Sequence, residues 1–152
     1  MLDGTVTPTD IIQVNDSYCL NVCNIGFNSK VAFRANELVA KGKSAHQAYT
    51  RRVGGEFNCA PDAKVDDGLM DVCYFRAMSL LRFLMLIPLY RKGQHIGSHP
   101  GKNKVLYRQA REVFISSKDL IDIYIDGEQL PGSQFHLKIL PGALPLRLPK
   151  KS

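Results

Sequence analysis

The 152-residue chain contains no tryptophan and no long apolar run. Its longest uninterrupted apolar stretch, Phe83 to Ile87, falls far short of the roughly 20 residues that a bilayer-spanning helix requires. The polar, turn-rich start, MLDGTVTPTD, lacks the apolar segment of a signal peptide. Cysteine is scarce, at 19, 23, 59 and 73, with no C-x-x-C pair and no His-x-His companions, which argues against a zinc site. A reducing, cytoplasmic setting is expected, with peripheral contact at the inner face of the membrane as a variant of it. Carboxylates are outnumbered, 14 against 20 Lys and Arg, for a net charge of +6. That balance favours anionic partners, and phosphorylated small molecules, anionic lipid surfaces and nucleic acid all satisfy it. Nucleic acid fits least, because the aromatic residues are not interleaved with the basic ones as stacking platforms. Internal repeats and low-complexity tracts are missing too. With 45% apolar and 22% charged residues, the composition excludes a disordered tail, a collagen-like rod and a disulfide-stapled mini-protein. One globular domain over residues 1–152 is the expectation.

What is present is mostly strand-like. Thr9 to Val14, the turn cluster Asn15-Asp16-Ser17 and Tyr18 to Cys23 read as a hairpin, with Cys19 and Cys23 on one face. Asn24 to Asn28 breaks the pattern around Gly26, and Lys30 to Tyr49 has helical composition, split at Gly42. Arg51 to Asp71 has no clear period and reads as a structured loop before a strand at Val72 to Phe75. Ser79 is placed to cap a helix from Leu80 to about Arg91, which Pro88 should bend or end. Arg91 to Lys104 is a basic loop in which His95 and His99 are expected to face solvent. Further strands are expected at Glu112 to Ile115, Leu120 to Ile125, Phe135 to Leu140 and Leu144 to Leu148. Seven or eight short strands with one or two helices predict a mostly β fold, an antiparallel β-sandwich.

Two carboxylate motifs could carry chemistry. In Lys64 to Asp71, Asp67 precedes Gly68, and a tight loop of this kind can hold Mg²⁺ or Ca²⁺ through one carboxylate, backbone carbonyls and water. An ordinary Asp-Gly turn between strands explains the same residues. In Asp126-Gly127-Glu128, a carboxylate at a strand end can serve as a general base, or the pair can simply turn a hairpin. The helix from Leu80 to Tyr90 is apolar on nearly all sides and flanked by Arg91 and Lys92. It either packs across an open sheet face or lies on a membrane interface.

Taken in order, Gly54-Gly55 through Ala60-Pro61, Asp67-Gly68-Leu69-Met70-Asp71, Ile125-Asp126-Gly127-Glu128 and Leu140-Pro141-Gly142-Ala143-Leu144 resemble one family. It is the C-terminal β-sandwich domain of the soluble bacterial diacylglycerol kinases, relatives of sphingosine and ceramide kinases. Gly93-Gln94-His95 before Pro100 and the stretch from Asn21 to Phe27 add to the resemblance. It implies the C-terminal domain of a two-domain lipid kinase, with ATP bound between an α/β domain and the sandwich. Asp67, helped by the carbonyls of Lys64 and Leu69, would bind a structural Mg²⁺, and Glu128 would be the general base on the lipid hydroxyl.

The family's Gly-Gly-Asp-Gly-Thr nucleotide motif is missing, and Asp3-Gly4-Thr5 only echoes its end. Asparagine stands at position 28, where the family tends to have aspartate, and a segment usual in the family is skipped near Thr50-Arg51. The expectation is a domain without its ATP-binding N-terminal partner, inactive alone and prone to self-association. The alternative is a non-catalytic module binding anionic lipid or a partner domain. A sugar- or nicotinamide-nucleotide kinase is the third, since fold-level likeness cannot separate these substrates.

Overall fold

In the computed structural model the described residues are 4–25 and 58–149. The predicted helix at Lys30 to Tyr49, Gly26, Asn28, Gly54-Gly55 and the junction near residue 50 lie outside them. The described residues are mostly strand with one helix, and they fall into two compact units, 4–25 with 64–70 and 111–149, and 58–63 with 71–110.

The first unit is an antiparallel five-stranded sheet. Its strands are β1 (Gly4–Val14), β2 (Ser17–Cys19), β3 (Cys23–Ile25), β6 (Glu112–Ile125) and β7 (Glu128–Pro149), ordered β2-β1-β7-β6-β3. Phe135, Leu137 and Ile139 are buried at every second position of β7, the alternation a half-buried strand requires. Val14, Cys19, Ile123, Tyr124 and Ile125 are buried as well.

Both hairpin turns follow from local chemistry. Asn15 and Asp126 take positive φ values of 51° and 48°, and Gly127 follows at 100°, a pair suited to the tight β6–β7 turn. Asn15 is also tied to β7: its Nδ2 donates to the Gln134 carbonyl at 3.2 Å and its Oδ1 accepts from the His136 amide at 2.9 Å.

Three strand expectations are corrected. Tyr18 to Cys23 is not one strand, so Cys19 and Cys23 do not share a strand face; β2 ends at Cys19 and β3 begins at Cys23. Asn24 and Ile25, read as pattern-breaking, lie in β3. The pairs of short strands expected at 112–125 and at 135–148 are continuous in β6 and β7. The prolines of β1 and β7 are placed where they do little harm. Pro8 and Pro145 are register partners, and Pro141 falls beside the bulge between Thr9 and Ile11, where no β1 residue pairs with it.

The second unit holds β4 (Met70–Phe75), the helix α1 (Leu80–Arg91) and β5 (Val105–Ala110), with β4 and β5 paired. The Ser79 side chain caps α1 by accepting the Arg82 amide at 3.4 Å. As expected, α1 runs from Leu80 to Arg91, and Pro88 lies inside it without ending it. The carbonyl that Pro88 deprives of a donor belongs to Leu84, which is solvent-exposed, so water can serve it. Gly93, at φ 72°, closes the helix, its amide donating to the Tyr90 carbonyl at 3.1 Å.

Candidate functional site

The loop from Lys64 to Leu69 is built on a residue that sequence reasoning passed over. Asp10 sits at the β1 bulge, between Thr9, which pairs with Leu144, and Ile11, which pairs with Leu140. Its side chain is buried, and each carboxylate oxygen takes a backbone donor, Gly68 at 2.6 Å and Gly142 at 2.7 Å. Its own amide donates to the Val65 carbonyl at 2.7 Å. Asp10 therefore joins the loop, the bulge and the Pro141-Gly142 kink of β7. The left-handed conformations at Gly68 (φ 69°) and Gly142 (φ 59°) turn those two amides toward it. One clue lay in the sequence: a carboxylate among Thr9, Ile11 and Ile12 needs donors if it is buried.

Asp67, by contrast, is exposed, and its Oδ1 accepts the Leu69 amide at 3.1 Å, an Asx turn. Lys64 is exposed and Leu69 half-buried. Among the described residues no three or more His, Cys, Asp or Glu side chains are grouped to hold a metal. The donors this loop can offer are the carboxylate of Asp67, that of its neighbour Asp66, and backbone carbonyls. That all-oxygen set fits a hard divalent cation that keeps several waters.

The second motif divides its carboxylates by role. Asp126 accepts three backbone amides, Leu20 at 2.6 Å and Asn21 and Val22 each at 2.9 Å, and its amide donates to the Val22 carbonyl at 3.0 Å. These bonds explain the break between β2 and β3, since three amides that a ladder would use are turned to one carboxylate. Asp126 is a structural clamp. Glu128, the first residue of β7, is exposed, and its carboxylate has no hydrogen-bond or ion-pair partner among the described residues. Lys64, Asp67 and Leu69 share one loop beside Pro141, whereas Glu128 lies thirteen residues away along β7.

Three of the cysteines, Cys19, Cys23 and Cys73, sit where the thiolate is disfavoured. The Cys19 thiol donates to Asp126 Oδ1 at 3.5 Å, and burial first, then the Asp126 charge, pushes its pKa far above the usual thiol range. The same two causes push Cys23 up to about 12. Burial and the neighbouring Cys59 raise Cys73 to about 12.

In the second unit His95 corrects an expectation. It is fully buried, stacked on Phe75 at 5.8 Å, edge-on to Tyr90 at 4.7 Å, with its Nε2 3.6 Å from Cys73 Sγ. Burial lowers its pKa, opposed in part by a backbone hydrogen bond at Cys59. Basic neighbours suggested a solvated loop, but aromatic partners from β4 and α1 draw the imidazole inward. His99 is exposed, as expected. Asp71 accepts hydrogen bonds from Tyr107 and Gln109 of β5.

Residues 23–148 match the family described as the YegS C-terminal NAD kinase beta sandwich-like domain. A probable lipid kinase YegS-like of Pseudomonas aeruginosa is 26% identical over 188 aligned positions, covering 100% of this chain and 60% of that protein. A diacylglycerol kinase of Bacillus subtilis is 28% identical, covering 90% of this chain and 56% of its own. The chain thus spans less than two-thirds of the length of these relatives. Among solved structures, a putative diacylglycerol kinase from Bacillus anthracis superposes over 91% of this chain and 55% of its own, with a TM-score of 0.61 at 18% identity.

Proposed function

The chain belongs to the YegS C-terminal NAD kinase beta sandwich-like domain family, and on that premise we propose that it is the lipid-side part of an ATP-dependent lipid kinase. Its substrate is the hydroxyl of diacylglycerol or a similar lipid. Glu128 takes the proton as the hydroxyl oxygen attacks the γ-phosphorus of ATP and ADP departs. The observation that carries this assignment is the contrast within one turn. Asp126 is engaged by three amides, and Glu128 is left exposed with its oxygens available.

Asp67, with the carbonyls of Lys64 and Leu69, would hold Mg²⁺, which there supplies charge neutralisation and a fixed loop. ATP comes with an N-terminal α/β domain. The alignment of 188 positions for 152 residues supports a chain shortened relative to that protein, and the shortening is assigned to the junction near residue 50. The chain works in the cytoplasm or at the inner membrane face and associates with itself through exposed apolar residues such as Phe114 and Leu120. Light scattering that reports a monomer at every concentration refutes that last point.

The chain alone, given Mg²⁺, labelled ATP and diacylglycerol micelles, is expected to form no phosphatidic acid; clear turnover overturns its inactivity. In a two-domain kinase carrying this chain as its C-terminal part, Glu128→Gln should lower kcat by about a hundredfold or more with unchanged melting. Near-normal turnover removes Glu128 from the role of base. A non-catalytic lipid-binding module is the second reading, favoured by the exposed apolar face of α1. Vesicle binding without any kinase activity in the two-domain protein would select it.

A further inference from the structure

Residues 72–110 carry seven of the chain's 20 Lys and Arg and none of its 14 carboxylates. In this run stands α1, whose burial is sharply divided. Leu86 and Tyr90 are buried, with the Tyr90 ring packed edge-on to Phe75 of β4 at 5.3 Å. Leu80, Leu81, Leu84 and Met85 are 73%, 70%, 53% and 51% exposed. At about 100° per residue, these four, Pro88 and Lys92 occupy one face of roughly 140°. Leu86 and Tyr90 fall on the other. Four large apolar side chains open to water on a single short face are not explained by packing among the described residues of their unit.

Arg82 determines what borders that face. Its Nε donates to the Pro100 carbonyl and its Nη2 to the Lys102 carbonyl, each at 2.7 Å. Both bonds fasten the turn after His99 to the helix. Lys102 then lines an open depression together with Leu81 and Met85. The guanidinium is occupied by backbone, and the ammonium beside the leucines is exposed. The result is an apolar stripe with cations at its side and at its C-terminal end and no carboxylate on the surrounding segment.

We propose that this face of α1 seats the protein on an anionic phospholipid bilayer. Leu80, Leu81, Leu84 and Met85 enter the acyl boundary, and Lys92 and Lys102 contact headgroup phosphates. The charge pattern selects this occupant: a second copy of the same cationic surface would be repelled, and an uncharged apolar partner would leave the cations unused. The proposal takes from the kinase reading only that lipid is the partner, and it explains how a chain with no membrane-crossing helix among its described residues reaches one.

Because the chain lacks tryptophan, Leu84→Trp creates a single reporter at the stripe. Phe114→Trp, on an exposed position of the sheet unit, is the control. Vesicles of phosphatidylcholine with anionic phosphatidylglycerol, containing neither diacylglycerol nor ATP, serve as the probe. Failure here therefore leaves the kinase reading intact, and failure of the kinase assay leaves this one intact. The expected result is a blue-shifted Leu84→Trp emission, quenched by brominated acyl chains, on anionic but not on pure phosphatidylcholine vesicles, with Phe114→Trp unchanged. Lys92→Gln with Lys102→Gln, both exposed, should lower the partition coefficient about thirtyfold at low salt, two contacts at about 1 kcal/mol each. The proposal is overturned if the chain binds vesicles while Leu84→Trp stays unshifted, or if both reporters shift alike. A lipid-free, concentration-dependent shift, the mark of a second copy on this face, overturns it as well.

Discussion

Asp10→Asn tests the organisation of the candidate metal loop. The carboxylate is buried and accepts at both oxygens, from Gly68 at 2.6 Å and from Gly142 at 2.7 Å. Asparagine has the same shape but only one acceptor, so its amide group must face one of those two N–H donors. A hydrogen bond to a charged group is worth about 1.5–3 kcal/mol net. Losing one should cost about 2–3 kcal/mol, and Asp10→Ala about twice that. For a chain of this length the Asn variant should melt about 4–12 °C lower. Circular dichroism melts, checked by urea titration, measure it. A second readout separates a general weakening from a role in the loop. If the loop binds Mg²⁺, cation at ten times its dissociation constant stabilises the wild type by about 1.4 kcal/mol. That increment should disappear in Asp67→Ala and shrink in Asp10→Ala, where Asp67 is intact but Gly68 is no longer pinned. An Asn variant melting within roughly 1 °C of wild type refutes the role given to Asp10.

Asp126→Asn should release the segment it clamps. Amide exchange at Leu20, Asn21 and Val22 is expected to speed up by about tenfold or more, and unchanged protection there refutes the clamp. His95 makes stability pH-dependent. Its folded pKa lies below the ordinary 6.5, so the unfolded chain takes up a proton that the folded one refuses. Its contribution is complete above about 6.5 and is lost as the pH falls from there to the lowered folded value. His95→Phe, which keeps the ring stacking, should lose less melting temperature than wild type between pH 7 and pH 5; equal losses refute the assignment.

Features set by neighbouring residues were legible in the sequence. Ser79 caps α1 by bonding an amide three residues on, and Asp126-Gly127 turns two strands that are adjacent in the chain, so both could be read locally. Features set across the chain were not. Leu20, Asn21 and Val22 look like the middle of a strand until a carboxylate more than a hundred residues away takes their amides. Asp10 looks like the solvent side of a strand because its donors, Gly68 and Gly142, come from distant loops. Phe135 to Leu140 and Leu144 to Leu148 read as separate strands with Pro141-Gly142 between them, yet β7 continues because the bulge in β1 leaves no residue opposite Pro141. The Lys64–Leu69 loop and Glu128 were singled out by their resemblance to a family, and spacing alone left each as a turn.

The 22-residue length of β7 has a consequence for how this chain can tolerate changes in length. One strand carries the Glu128 turn at one end and the Pro141-Gly142 kink that receives Asp10 near the other, with Phe135, Leu137 and Ile139 buried between them. A single-residue insertion at 133–138 would move part of that apolar set to the solvent face. A two-residue insertion would keep the faces but carry Gly142 out of reach of Asp10. The largely exposed stretch at 117–120 of β6, where pairing with β7 is already interrupted between Ser116 and Ile121, is bound by no such register and can absorb insertions at lower cost. Length variation should therefore accumulate in that stretch and be excluded from the middle of β7.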